Sequence, residues 1–287
     1  MSRTMSGYDP DLDLPRILCL HGGGTNARIF RSQCRVLSTH LKGRFRLVFA
    51  EAPLSCNAGP DVLSVYKEWG PFKSWIPSAL GCPEVDNHTA IELFKESLDR
   101  AMDEDDDLGA TGPWVGLLGF SQGAKMCASL LFLQQLRQMH GERTNERLDF
   151  RFGVLLAGRA PLVALDMNLA STYGTEDDES KNSAGIVDPN GDPIHSNHSW
   201  LRRIRYGSQS RSRLHIPTVH VHGLRDAGLP LHRKLFEECC EEGSTRLMEW
   251  EGDHRVPIKT KDVTVLVQHI LAMAIESDAV RHRAIVF

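Results

Sequence analysis

The chain reads as an α/β protein built on a mostly parallel central sheet with helices on both faces. Short apolar runs alternate with segments of helical periodicity along most of the 287 residues. A pentapeptide, Gly119-Phe120-Ser121-Gln122-Gly123, joins one apolar run to one helical segment. A glycine run, Gly22-Gly23-Gly24, closes the first strand and opens the first helix. Small residues at such junctions permit tight strand-to-helix turns.

The candidate strands are Arg16–Leu20, Arg46–Ala50, Trp114–Leu118, Phe152–Leu156, Thr218–Val221 and Arg246–Trp250. Each is short and largely apolar on both faces, as strands beneath two helical layers are. Helical patterning falls at Ala27–Leu41, His88–Asp103, Ser121–Gln138, Leu231–Glu242 and Lys261–Glu276. In the last, Val263, Leu266, Val267, Ile270, Leu271 and Ala274 recur at helical spacing and mark a core-facing stripe.

Two long stretches break the alternation. Residues 53–87 carry Pro53, Pro60, Pro71, Pro77 and Pro83 with Trp69, Phe72 and Trp75, and read as an ordered wall of a site. Phe72 and Trp75 are its substrate-pocket candidates. Residues 162–214 read as a lid-like insertion whose polar segment, Thr172–Asn197, is expected to be mobile. Residues 1–14 read as a disordered arm, and the acidic run Asp103–Asp107 as the solvated end of a helix.

Composition narrows the classes. A net charge of -4 argues against a nucleic-acid binder working through a basic surface. No apolar run approaches the ~18 residues of a membrane span, and the N-terminus lacks a signal-peptide core. The seven cysteines show no C-x-x-C spacing, so neither zinc nor redox chemistry is indicated. Reduced thiols in a cytoplasmic protein are expected. The Asn-x-Ser/Thr matches at Asn87 and Asn197 then read as chance.

A G-x-S-x-G between strand and helix is a nucleophile elbow, which lifts the Ser121 hydroxyl above the sheet edge at a helix N-terminus. A serine hydroxyl needs a base to accept its proton as it attacks. The Ser…Asp…His chain order of the α/β-hydrolases supplies the search rule. His254 follows the last candidate strand through Glu251-Gly252-Asp253 and is the expected base. Asp226 follows Thr218–Val221 through His222-Gly223-Leu224-Arg225 and is the expected orienting acid. Its rival, Asp253, adjoins His254, and neighbours on a short loop seldom face each other.

The oxyanion donors are expected to be the backbone N–H groups of Gly23 and Gln122. A phosphate loop is the competing reading of the glycine run, but it lacks the Gly-Lys-Ser/Thr ending. His220 and His222 alternate on a strand and propose no complete metal site. His88, His195 and His198 receive no role, and Cys239-Cys240 reads as helix packing.

These residues resemble the fungal serine hydrolases related to the lovastatin-releasing thioesterase. The likeness rests on Ile17–Asn26, Gly70-Pro71-Phe72 with Trp75, Gly119–Gly123, His222-Gly223 with Asp226, and Gly252 with His254 and Pro257. It spans Pro15 to about Ile275. It implies a single α/β-hydrolase domain over residues 1–287, Ser121, Asp226 and His254 as the triad, no cofactor, and often a place in polyketide biosynthesis.

The expected reaction is acyl transfer to water through an acyl-Ser121 intermediate. The resemblance favours a thioester of a polyketide on its synthase's acyl carrier domain. A carboxylesterase acting on small or hydrophobic esters is the alternative, and a binding protein on a non-catalytic hydrolase scaffold is the reading from another class. Arg202, Arg203, Arg205, Arg211 and Arg213 form a basic cluster that either docks an acidic carrier or is a solvated loop.

Overall fold

A computed structural model of the chain describes residues 10–77, 80–142, 149–166, 175–176, 203–204 and 213–280. Ten strands are described: β1 (Arg16–Leu20), β2 (Arg46–Ala50), β3 (Leu54–Cys56), β4 (Phe72–Ser74), β5 (Trp114–Phe120), β6 (Phe152–Leu156), β7 (Thr175–Glu176), β8 (Arg203–Ile204), β9 (Thr218–Gly223) and β10 (Thr245–Trp250). The α-helices are α1 (Ala27–Gln33), α2 (Arg35–Leu41), α3 (Val62–Tyr66), α4 (Asn87–Asp107), α5 (Gln122–Met139), α6 (Leu229–Lys234) and α7 (Thr260–Glu276).

The central sheet has six strands in the order β10-β9-β6-β5-β1-β2, and every pairing is parallel. Its strands alternate their side chains between two cores, as the period of two requires. Leu18 and Leu20 of β1 join Leu117, Phe94, Leu131 and Phe132, the last three from the α4 and α5 side. Ile17 and Cys19 join Leu118, Phe30, Leu37, Val263 and Ile270, from the α1, α2 and α7 side. Burying each such leucine, isoleucine or phenylalanine stabilises the fold by about 1.5–3 kcal/mol. The expected α/β-hydrolase architecture is therefore present.

Several boundaries differ from expectation. The first helix breaks at Cys34 (φ -82°, ψ 4°), whose buried side chain sits at the junction of α1 and α2. The helix after β9 changes to a π turn over Leu235–Cys239. Within the Pro-rich stretch, β3 and β4 form an antiparallel pair, Leu54 facing Ser74 and Cys56 facing Phe72. Such short strands among prolines left no alternating pattern to read.

The acidic run is also different. α4 continues through Asp107, and Asp105 is 5% exposed. Arg46 Nε donates to its carboxylate at 2.8 and 3.1 Å, and Arg16 Nη1 at 3.4 Å. Arg16 also reaches Asp106 and lies over the Trp114 ring at 4.1 Å. The solvated reading holds for the exposed neighbours and fails at Asp105, which joins β1 and β2 to α4.

Of the expected arm, residues 10–14 are described, and the Leu12 carbonyl accepts from Thr111 N–H at 2.7 Å. Residues 1–9 lie outside the described residues, as does Thr172–Asn197 apart from Thr175–Glu176. β7 and β8 pair antiparallel within the expected insertion.

Candidate active site

Ser121 stands between β5 and α5 with φ 53° and ψ -113°, a backbone region that L-residues rarely adopt. Such strain costs on the order of 1–3 kcal/mol and persists only where surroundings enforce it. Here its N–H donates to Leu156 O at 2.8 Å and its carbonyl accepts from Lys125 N at 3.1 Å. The flanking glycines are sterically required. A Cβ on Gly119 would lie 2.5 Å from Ala124 N, and one on Gly123 2.1 Å from Leu20 O. The elbow thus presses the start of α5 onto the end of β1.

Two further loops converge on Ser121. After β9 and β10 the chain makes Leu224 N–H to Trp250 O at 2.9 Å and Arg225 N–H to Gly252 O at 2.8 Å. A Cβ on Gly223 would fall 2.5 Å from Asp253 O, so the loops can touch only with glycine there. This contact brings Asp226 and His254 together. His254 Nδ1 lies 2.6 Å from Asp226 Oδ2, and His254 Nε2 lies 2.9 Å from Ser121 Oγ. Asp253 is more than half exposed and faces Arg255 at 3.2 Å instead.

The charges fix the proton positions. Burial raises the Asp226 pKa, but the His254 hydrogen bond, the nearby imidazoles and the Gly228 N–H together hold it down at about 2. An ionised Asp226 accepts only, so His254 carries its proton on Nδ1 and leaves Nε2 to accept from the Ser121 hydroxyl. Burial lowers the His254 pKa, and Arg159 lowers it further against the pull of Asp226. The ring is thus poised as a neutral base. This arrangement can move a proton from serine to imidazole while Asp226 stabilises the cation formed.

The glycine run lies opposite the elbow. Gly24 N–H donates to Lys73 O at 2.9 Å and Thr25 N–H to Gly22 O at 3.3 Å. The N–H groups of Gly23 and Gln122 make no such bond among the described residues. The Gln122 side chain braces this region: its Oε1 accepts from Trp75 N–H at 2.8 Å and Ser74 Oγ at 3.1 Å. Trp75 Nε1 in turn donates to His21 O at 2.7 Å.

Trp75 therefore does not line an open pocket. It is 1% exposed, with its ring edge-on to Phe94 at 5.8 Å, and supports the glycine run from behind. Phe72 is half-buried on β4. Phe72 is thus the more accessible of the two expected pocket residues, and Trp75 is buried just after β4.

Arg159 and His232, beside Asp226 and His254, had no motif to reveal them, whereas His21 belongs to the Ile17–Asn26 segment. Arg159 follows β6, is 4% exposed, and places Nη2 3.2 Å from His254 Nδ1 and 3.7 Å from Asp226 Oδ1. His232 of α6 lies 3.6 Å from Asp226 Oδ2, its pKa pushed down to about 2, chiefly by burial. His21 places Nδ1 2.8 Å from Gly22 O and accepts from Ala52 N–H through Nε2 at 3.1 Å.

Burial also lowers His220 to about 3 and His222 to about 4. His220 contacts Thr218 Oγ1 at 3.1 Å and Cys240 Sγ at 3.6 Å, and Cys239 and Cys240 are buried thiols outside any disulfide. Among the described residues, Asp226, His232 and His254 form the one set with ligand atoms close enough for a shared ion, all within 4.8 Å. The Arg159 cation beside them favours an acid–base cluster over a cation site. Of the basic cluster, Arg202, Arg205 and Arg211 lie outside the described residues, Arg203 is in β8, and the Arg213 carbonyl accepts from Gln135 Nε2 at 2.7 Å.

The parallel sheet, its helices and this site at the C-terminal strand ends are those of an α/β-hydrolase, an enzyme class of hydrolases. The chain belongs to the serine hydrolase (FSH1) family, whose model matches residues 12–266. It is 53% identical to the esterase pigG of Monascus ruber over 286 residues, 99% of this chain and 100% of that protein. The esterase citA of Monascus ruber is 48% identical over 271 residues, covering 94% of this chain and 96% of citA. The esterase claE of Penicillium crustosum is 48% identical over 278 residues, covering 96% and 99%.

Proposed function

We propose that the protein is an acyl hydrolase working through an acyl-Ser121 intermediate, with His254 as base and Asp226 as the acid that orients it. His254 takes the Ser121 proton as Oγ attacks the substrate carbonyl. The resulting oxyanion settles between the N–H groups of Gly23 and Gln122, each such donor being worth about 2.7–4 kcal/mol. The leaving group departs with the proton from His254. Water, deprotonated by His254, then releases the acid. The Ser121–His254–Asp226 hydrogen-bond relay is the observation that carries this reading.

The substrate proposed is an acyl thioester of polyketide type, presented on an acyl carrier domain in secondary metabolism. A thiol leaves readily with a reference pKa of ~8.5, so weak general-acid assistance is sufficient. The basic residues Arg202, Arg203, Arg205, Arg211 and Arg213 are proposed to steer the acidic carrier. Charge reversal at Arg202 and Arg203 should slow turnover on a carrier and spare a small free thioester; equal effects would remove the steering role. A cytoplasmic setting is supported by the seven cysteines, none of which forms a disulfide. No helix among the described residues is long and apolar enough to cross a membrane.

The esterase names of the relatives pigG, citA and claE favour a second reading, a carboxylesterase. An alkoxide leaves only with strong general-acid help, which a low-pKa imidazolium at His254 would supply. Steady-state rates on a carrier-bound acyl thioester and on aryl and alkyl esters of the same acid separate the two. The thioester reading expects the carrier substrate to have the highest kcat/KM, and an alkyl-ester preference would replace it with the esterase.

A further inference from the structure

The strand between those bearing Ser121 and Asp226 is β6, and the chain leaving it is held in a strained turn. Ala157, at φ 50°, is a non-glycine residue in the left-handed region, and its N–H donates to Val221 O at 2.9 Å. Gly158 and Arg159 follow, and Ala160 N–H donates to Leu231 O at 3.1 Å, fastening the loop to α6. The guanidinium is thereby delivered beside the triad. Its Nη2 is 3.2 Å from His254 Nδ1 and 3.7 Å from Asp226 Oδ1, while Nε is 3.5 Å from His232 Nε2.

Gly228 shows how closely this position is built. A Cβ there would lie 2.6 Å from Arg159 Nε and 2.7 Å from Nη2. The same glycine gives its N–H to Asp226 Oδ1 at 2.8 Å. One residue therefore serves the carboxylate and leaves room for the cation beside it.

We infer that Arg159 is a positioning residue for the Ser121 reaction, a buried cation set between acid and base that keeps His254 unprotonated over a wider pH range. This rests on the acyl-transfer role proposed above. An arginine only donates, so it cannot take the Nδ1 proton, which stays on the bond to Asp226 Oδ2. Its charge opposes a second positive charge on the adjacent imidazole. The other groups around that ring are Asp226 from the β9 loop, His232 from α6, and Asp253 on its own loop, with Ser121 and the Phe120 ring from the β5–α5 turn. Arg159 is the cation among these, and the two carboxylates act in the opposite sense. The imidazolium formed during attack is correspondingly a stronger acid toward the leaving group.

The test is the pH dependence of kcat/KM on 4-nitrophenyl butanoate, followed by pH-stat, for the wild type, Arg159→Met, Arg159→Lys and Gly228→Ala. Removing a like charge this close should move the acid limb of Arg159→Met to higher pH by roughly one unit. Arg159→Lys should keep it near the wild type. Gly228→Ala, which displaces the guanidinium without deleting its charge, should move it in the same direction as Arg159→Met. A merely structural arginine predicts a lower plateau with an unmoved limb. That result in Arg159→Met, or in Gly228→Ala where the first variant fails to fold, overturns the inference. A wild type without Ser121-dependent hydrolysis would instead overturn the proposed function beneath it.

Discussion

The side-chain oxygen of Gln122 accepts the backbone N–H of Trp75 at 2.8 Å, joining the turn at Ser121 to the segment behind the glycine run. The residue after the proposed nucleophile thus has two tasks. Its backbone faces the proposed oxyanion position, and its side chain fixes the segment that supports Gly23 from the other side.

Gln122→Ala should leave the Trp75 N–H buried without an acceptor. The expected cost is about 1–3 kcal/mol of stability, read as a lower urea midpoint. Activity per folded molecule should fall as well, because the brace behind the glycine run is lost. An unchanged midpoint and rate would mean that the contact contributes nothing.

Asp226→Asn replaces the acceptor that holds the Nδ1 proton of His254. The expected loss in kcat is on the order of 10⁴-fold, the size seen when a triad acid is converted to its amide. KM should change little. The same substitution at Asp253 should leave kcat near the wild type, since that side chain faces Arg255 rather than the imidazole.

Asp105→Ala should be strongly destabilising despite its place in an acidic helical run. It removes the buried carboxylate that Arg16 and Arg46 share, although Arg16 keeps its pair with Asp106. Breaking a buried pair costs about 3–5 kcal/mol. Equilibrium unfolding should register that loss, while kcat of the folded fraction stays unchanged.

The buried histidines predict a pH dependence of stability. In the folded chain His220 is held at about 3, His222 at about 4 and His232 at about 2. In the unfolded chain each returns to about 6.5. Below that pH the unfolded state binds protons that the folded state refuses, so stability is full above ~6.5 and declines as pH falls toward the folded values, at up to about 1.4 kcal/mol per pH unit for each proton. Urea midpoints at pH 7.5 and 5 should therefore fall in that order. His222→Phe should flatten the slope, and a midpoint that rises on acidification would contradict the assignment.

The sequence made the sheet legible because each central strand is a short run that is apolar on both faces. Ser121, Asp226 and His254 were legible because their order along the chain is the order in which the fold delivers them to one sheet edge. Arg159 was not, since one arginine after one strand has no periodicity or spacing to mark it. Asp105 was misread for a related reason: charge runs signal solvent, and only the pairing of β1 with β2 sets Arg16 and Arg46 opposite α4. Trp75 was expected to line a pocket, and its burial instead depends on the Gln122 and His21 bonds, which join residues far apart in sequence.

The most direct measurement of the central claim is active-site labelling with a fluorophosphonate probe, followed by mass analysis of the modified peptide. The wild type should be labelled once, on the peptide containing Ser121, and inactivated in step with labelling. Ser121→Ala should take up no probe and show no hydrolysis. Absent labelling of the active wild-type protein, or labelling that persists in Ser121→Ala, would contradict the claim that Ser121 is the nucleophile.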